Sequence, residues 1–125
     1  HCVTSNRILN NSKLDLSKLE DIPFTIGTDG LSSNNSLSMF DELRNVLMVH
    51  YEKNVIDFSN ILLKAATLNG ARALGLNKGT LQKEFDADMI TFSLPDEVED
   101  MEDLPMQIIL HTKFVDKTII GGEFV

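Results

Sequence analysis

The chain has 125 residues, 42% of them hydrophobic and 24% charged, enough for one modest domain with its own core. Nineteen acidic against eleven basic residues give a net charge of −8, which excludes a polymeric nucleic acid as the expected partner, because like charge repels a phosphate backbone. No apolar run approaches the ~18 residues of a membrane span, and no charged n-region leads into an apolar stretch, so neither a membrane partner nor a signal peptide is expected.

The first residue is His1, not Met, and the chain is expected to be a processed or excised piece of something longer. Residues 1–6 read as a strand end or the loop after one. Residues 7–21 are polar with scattered leucines and read as a loop with a short helix. Ile22–Ile26 is a short β-type run, and the Gly/Asp/Ser/Asn cluster at 27–36 has the composition of a turn-rich loop. A helix is predicted next, because Leu37, Phe40, Leu43, Val46 and Leu47 recur at spacing three to four, with Asn35 or Ser36 as its cap. That periodicity makes Met39 and Phe40 core residues. A second helical stretch is predicted from Asp57 or Ser59, carrying Ile61 through Leu74 and stopped by Gly75. Its small residues Ala65, Ala66, Gly70 and Ala71 would let another element approach closely.

After residue 78 the texture becomes β-like. Met89–Phe92, Met106–Leu110 and Phe114–Val115 read as strands, and Ile119–Val125 as a strand, a glycine turn and a further strand. Between them, residues 96–103 hold six of the nineteen acids and read as a solvated loop. The single Cys2 cannot form an intramolecular disulfide, which agrees with a reducing cytoplasm, the expected location. As a nucleophile it lacks a supporting His/Asn pattern.

The most informative stretch is Thr25-Ile26-Gly27-Thr28-Asp29-Gly30. It delivers one carboxylate, Asp29, at the end of a β-type run on a glycine-flanked turn. Carboxylates at strand C-termini are where (β/α) barrels place catalytic groups. The plainer reading is a turn aspartate capping backbone N–H groups.

Four segments carry a family resemblance. His1-Cys2-Val3-Thr4-Ser5-Asn6 resembles the His-Cys-Pro-x-Ser-Asn segment of the amidohydrolase superfamily, in its deaminase and chlorohydrolase branch. Ile26–Asn35 looks like that branch's Gly-Thr-Asp-Gly-x-x-Ser-Asn loop, Ala66–Leu76 is similar to its last barrel helix, and Gly79-Thr80-Leu81 followed by Asp86–Ile90 resembles its return into a small β-domain. The closing Gly122–Val125 fits that domain's final turn. Val3 replaces the family's proline, and Glu84 stands where the family often has glycine.

The resemblance implies an α/β fold: the C-terminal part of a metal-dependent (β/α)8 barrel, its last two strand–helix units, plus strands of a small β-sandwich domain. Residues 1–78 would be the barrel end and 79–125 the β-domain strands. It implies that Asp29 is catalytic and binds a divalent metal, zinc being the expected one, whose bound water attacks the substrate. Asn6, Ser33 and Asn34 would be donors fixing the Asp29 loop, and His1 would face the site mouth. Glu42 is either a brace for a neighbouring loop or a solvated helix-face residue. The family's remaining ligands, all histidines on earlier strands, have no counterpart here: His50 and His111 match no motif. The chain is therefore read as a C-terminal fragment that holds no metal alone.

The implied activity is deamination of an adenine-bearing nucleoside with release of ammonia. Gly-Thr-Asp-Gly through Met-Phe-Asp-Glu-Leu-Arg looks most like the branch acting on aminofutalosine, adenosylhomocysteine or methylthioadenosine. The first of these, a step toward menaquinone, is favoured on overall texture. The alternatives are guanine deamination or triazine dechlorination. For the isolated chain the alternative is a non-catalytic scaffold whose exposed strand edges favour a homodimer or a strand-swapped oligomer.

Overall fold

The computed structural model describes residues 1–19 and 22–125. Five helices appear among them: α1 (Val3–Ile8), α2 (Met39–Val49), α3 (Val55–Ala66), α4 (Leu68–Ala73) and α5 (Leu104–His111). One 3-10 turn lies at Leu16–Lys18. Three strands, β1 (Met89–Thr91), β2 (Lys117–Ile120) and β3 (Glu123–Phe124), form an antiparallel sheet in that order, with Met89 opposite Ile119 and Ile120 opposite Glu123. No helix is long and apolar enough to cross a membrane among the described residues.

The core lies among α1, α2, α3 and α5. Val3, Leu43, Val46, Phe58, Leu62 and Ile109 are its buried centre, with Met39 and Phe40 packed partly buried against it. The predicted periodicity of α2 therefore holds for Phe40, Leu43, Val46 and Leu47. Leu37 does not belong to it, because it precedes the helix and is exposed. The caps also differ from expectation. Ser38, not Asn35 or Ser36, accepts from the Asp41 N–H, and Ser36 instead braces the entry by accepting from Ser38 N and donating to Asp41. Helix α3 starts earlier than Asp57 or Ser59 because Asn54 Oδ1 accepts from both Ile56 N and Asp57 N.

The predicted second helix is two helices. They break at Thr67, whose hydroxyl bonds back to Leu63 O at 2.7 Å. At this break Gly79 packs backbone to backbone: a Cβ there would lie 2.8 Å from Leu68 Cα and from Thr67 C and O. The stop at Gly75 is as predicted, in the left-handed region at φ +68°.

Two β expectations become helices. Residues 3–8 are α1, not a strand end. Residues 104–111 are α5, although Met106–Leu110 reads as a strand. A short apolar run fits either state, and the deciding features are Pro105 in the first turn and the burial of Ile109 against α2 and α3. Phe114 and Val115 are exposed and lie outside any strand. Ile22–Ile26 is also not assigned as a strand. The His1 nitrogen donates to Thr25 O at 2.6 Å, and Gly27 N donates to His1 O at 3.1 Å. One residue bonding to both neighbours of Ile26 is the pattern of a parallel pair. Ile26 N itself donates to Ala65 O of α3.

Candidate functional site

Asp29 stands at the bend between that extended segment and the loop leading to α2. Its φ is +60°, a left-handed conformation that costs a non-glycine residue about 1–2 kcal/mol and persists only where neighbours hold it. They do so through the side chain. Oδ1 accepts from Gly30 N at 2.8 Å, and Oδ2 accepts from Ser5 Oγ at 2.7 Å and Ser33 Oγ at 3.3 Å. The two hydroxyl oxygens lie 2.8 Å apart. Each has one proton, so one hydroxyl can donate to the carboxylate while accepting from the other.

The hydrogen bond from Ser5, followed by that from Gly30 N, holds the Asp29 carboxyl below the usual carboxylate range, with a smaller contribution from Ser33. Asp29 is thus an anion at neutral pH with one side open to solvent. It also caps a backbone N–H, so the turn-aspartate reading and the chemical one describe the same residue.

The other expected residues divide. Ser33 is buried against Asp29. Asn34 is buried one step away, where its Nδ2 donates to Thr28 O at 2.6 Å and its Oδ1 accepts from Ser36 N. Asn6 and His1 line a different cavity of about 500 Å³ with Ser12, Lys13 and Leu14, and neither is among the groups that hold Asp29. His1 Nε2 lies 3.2 Å from Nε2 of the buried His50, whose Nδ1 is 3.4 Å from Glu52.

Ser5 is not among the expected site residues; the signal for it is its place in the Thr4-Ser5-Asn6 segment, beside the expected Asn6. Helix α1 turns Ser5 toward Asp29, where it is 1% exposed. Glu42 is not solvated: it is 1% exposed, Oε1 accepts from Thr4 N at 3.0 Å, and Oε2 accepts from Asn34 Nδ2 at 3.3 Å.

No group of three His, Cys, Asp or Glu side chains is placed to hold a metal among the described residues. An ionised carboxylate with an open side suits one corner of a divalent site. Zinc needs roughly four ligands, so this donor set fits a single ligand position and leaves the others to residues outside it.

The comparisons with known proteins agree with one another. The model of the amidohydrolase family matches residues 1–125. The chain is 46% identical over 123 residues to an aminodeoxyfutalosine deaminase of Nitratiruptor sp., covering 98% of this chain and 30% of that protein. It is 38% identical over 126 residues to an adenosine deaminase of Helicobacter pylori, covering 99% and 30%. Among solved structures, Helicobacter pylori aminofutalosine deaminase in complex with methylthio-coformycin matches with a TM-score of 0.90 at 38% identity, over 99% of this chain and 30% of that one. E. coli guanine deaminase shares the fold at a TM-score of 0.80 and 19% identity, over 99% and 32%. The chain therefore spans about 30% of the length of the relatives it matches. On the match along its whole length, the chain belongs to the amidohydrolase family.

Proposed function

We propose that this chain is the C-terminal part of a hydrolytic deaminase that replaces the exocyclic amine of an adenine-bearing nucleoside with oxygen and releases ammonia. One observation carries the reading: an ionised carboxylate, Asp29, held in a left-handed turn by Ser5, Gly30 and Ser33 with one side open. The 46% identical relative named for aminodeoxyfutalosine supports that nucleoside class as the substrate. So does the bound methylthio-coformycin in the Helicobacter structure.

Residues 1–78 would close a (β/α)8 barrel. The parallel bond pattern between His1 and the Ile26 segment supports two adjacent barrel strands there. Residues 79–125 would contribute strands of a β-domain, a reading that the antiparallel β1–β3 sheet supports.

In this reading Asp29 would supply one ligand to a divalent metal, zinc being the expected one. The metal would lower the pKa of a bound water to roughly 7. Asp29 takes the proton of the attacking water and passes it to the leaving amine. The water oxygen bonds to the ring carbon, the carbon–nitrogen bond breaks, and nitrogen leaves as ammonia. Ser5 and Gly30 keep the carboxylate ionised and aimed. The cytoplasm is the proposed location.

The test is ammonia release by the metal-loaded full-length protein from a panel of adenine nucleosides, with Asp29→Asn alongside. Release from one nucleoside, lost in the variant, supports the reading and names the substrate. Release only from guanine, or chloride release from a triazine, replaces it. Residues 1–125 alone should purify without stoichiometric zinc and without activity. Stoichiometric zinc in that sample would contradict the single-ligand assignment.

A further inference from the structure

We propose that Glu42 is the positioning residue of this site: a buried carboxylate that ties the helix carrying Ser5 to the loop carrying Asp29 and so fixes where the Asp29 carboxylate points. The inference rests on the proposed role of Asp29 and concerns a residue that touches no reacting atom.

Glu42 lies one turn into α2, yet its side chain is sealed from solvent. Burying a carboxylate is costly unless its oxygens are hydrogen-bonded. Both are, and the two donors belong to different segments. Oε1 accepts from Thr4 N, in the first turn of α1. That helix has no side-chain cap of its own, since Cys2 precedes it and makes no capping bond. Glu42 therefore does from outside what a cap does from within: it satisfies an orphan N–H and places negative charge at the positive helix end. The next residue along α1 is Ser5, which donates to Asp29.

Oε2 accepts from Asn34 Nδ2. The same Asn34 amide donates to Thr28 O, the carbonyl just before Asp29. Asn34 cannot flip its amide without loss, because its Oδ1 accepts from Ser36 N. One carboxylate thus reaches Asp29 along both routes. The strained φ of Asp29 is the feature that needs such a clamp.

Because both partners of Glu42 are donors, an amide cannot replace it. In Glu42→Gln one oxygen remains, and the new NH2 faces a donor. Misplacing a catalytic group by about 1 Å costs on the order of 10²-fold. In the full-length protein, Glu42→Gln should therefore lower kcat by roughly tenfold to a hundredfold with KM changed less than about threefold. Leu62→Ala, a core truncation outside the Asp29 network, serves as the stability control and should leave kcat within about twofold at temperatures where it stays folded. Amide hydrogen exchange gives a second readout that needs no turnover. Thr4, Gly27 and Ser33, whose N–H groups are hydrogen-bonded here, should exchange at least about tenfold faster in Glu42→Gln and not in Leu62→Ala.

If Glu42→Gln fails to fold, Thr4→Pro deletes one donor to the carboxylate, together with the exposed hydroxyl that accepts from Asn45 Nδ2, while leaving the carboxylate itself, and a proline is tolerated in a first helical turn. It should lower kcat about threefold to tenfold. Wild-type kcat together with wild-type exchange in Glu42→Gln would overturn the inference while leaving the role of Asp29 intact. Inactive wild-type protein would overturn the proposed function, and exchange alone would then decide whether Glu42 holds the loop.

Discussion

Among the described residues, two turns place an acidic residue in the left-handed region, and they solve the problem differently. Asp29 has φ +60° and Glu84 has φ +72°. At Asp29 the side chain secures the backbone, through Ser5, Gly30 and Ser33. At Glu84, an exposed residue, the neighbours hold the backbone: Asn77 Nδ2 donates to Glu84 O at 2.7 Å and Asp86 N donates to Asn77 O at 2.9 Å. An ion pair between Lys78 and Asp88 brackets that turn, and Asp88 also accepts from Gly121 N at the β2–β3 turn. The same backbone strain is therefore tied to residue identity at position 29 and indifferent to it at position 84. What sets Asp29 apart, and supports the role proposed for it, is that the surroundings grip its side chain.

The largest effect that could break this contrast is at Asp29 itself. Asp29→Asn should reduce kcat by about 10³-fold or more, equivalent to about 4 kcal/mol, while the melting temperature stays close to wild type. Steady-state ammonia release checks it, and surviving activity would make both turns merely structural. Next comes Gly79→Ala, at the entry to the segment carrying Glu84. Gly79 has φ +88°, and its missing Cβ would strike the Thr67–Leu68 backbone. The substitution should cost about 3 kcal/mol in denaturant unfolding. A cost under about 1 kcal/mol would mean that α4 and this segment are not locked together.

Ser5→Ala should lower kcat about tenfold and stability by about 1 kcal/mol, because Ser33 at 3.3 Å still reaches the carboxylate. Equal kcat in variant and wild type would show that the grip on Asp29 does not depend on α1. Glu84→Gly should raise stability by up to about 1 kcal/mol, removing the Cβ penalty and keeping the carbonyl that Asn77 uses. A loss of stability in a thermal melt would erase the difference between the two turns.

The smallest effect concerns pH. Asp88 is held below the usual carboxylate range by its hydrogen bond to Lys78 and then by Gly121 N–H, and Lys78 is raised by its bond to Asp88. The Asp88 contribution is present above the ordinary carboxylate range and is lost as pH falls through the lowered value. The Lys78 contribution is present below the ordinary ammonium range and is lost as pH rises through the raised value. Melting temperature should be flat near neutrality and decline at both extremes. Lys78→Met should flatten the alkaline decline.

Much of the proposed site was legible in residue order. Asp29 followed from a β-type approach into a glycine-flanked turn, and Ser33 from its place in the same loop. Ser5 and Glu42 were not, since they meet Asp29 and Asn34 from helices 24 and 8 positions away. Nothing local distinguishes Glu42 from a solvated helix glutamate. Its burial depends on Thr4 and Asn34 arriving from other segments. Asn6 follows Ser5 on α1 but lines a cavity away from Asp29, because a helix turns successive side chains apart; His1, which precedes that helix, lines the same cavity.

Determined by the sequence alone were features whose cause is local. The period of α2 comes from side-chain spacing, the stop at Gly75 from the conformational freedom of glycine, and the β2–β3 hairpin from Gly121-Gly122 between β-prone residues. Tertiary structure alone decided the short ambiguous runs. Residues 104–111 became a helix because Ile109 found a closed apolar slot and Arg44 reached across to the carbonyls of Ile109 and Thr112 at the helix end. Residues 3–8 became a helix with Glu42 at its uncapped start. A helix of six or eight residues is not stable by itself, so its existence depends on partners that sequence order does not bring near.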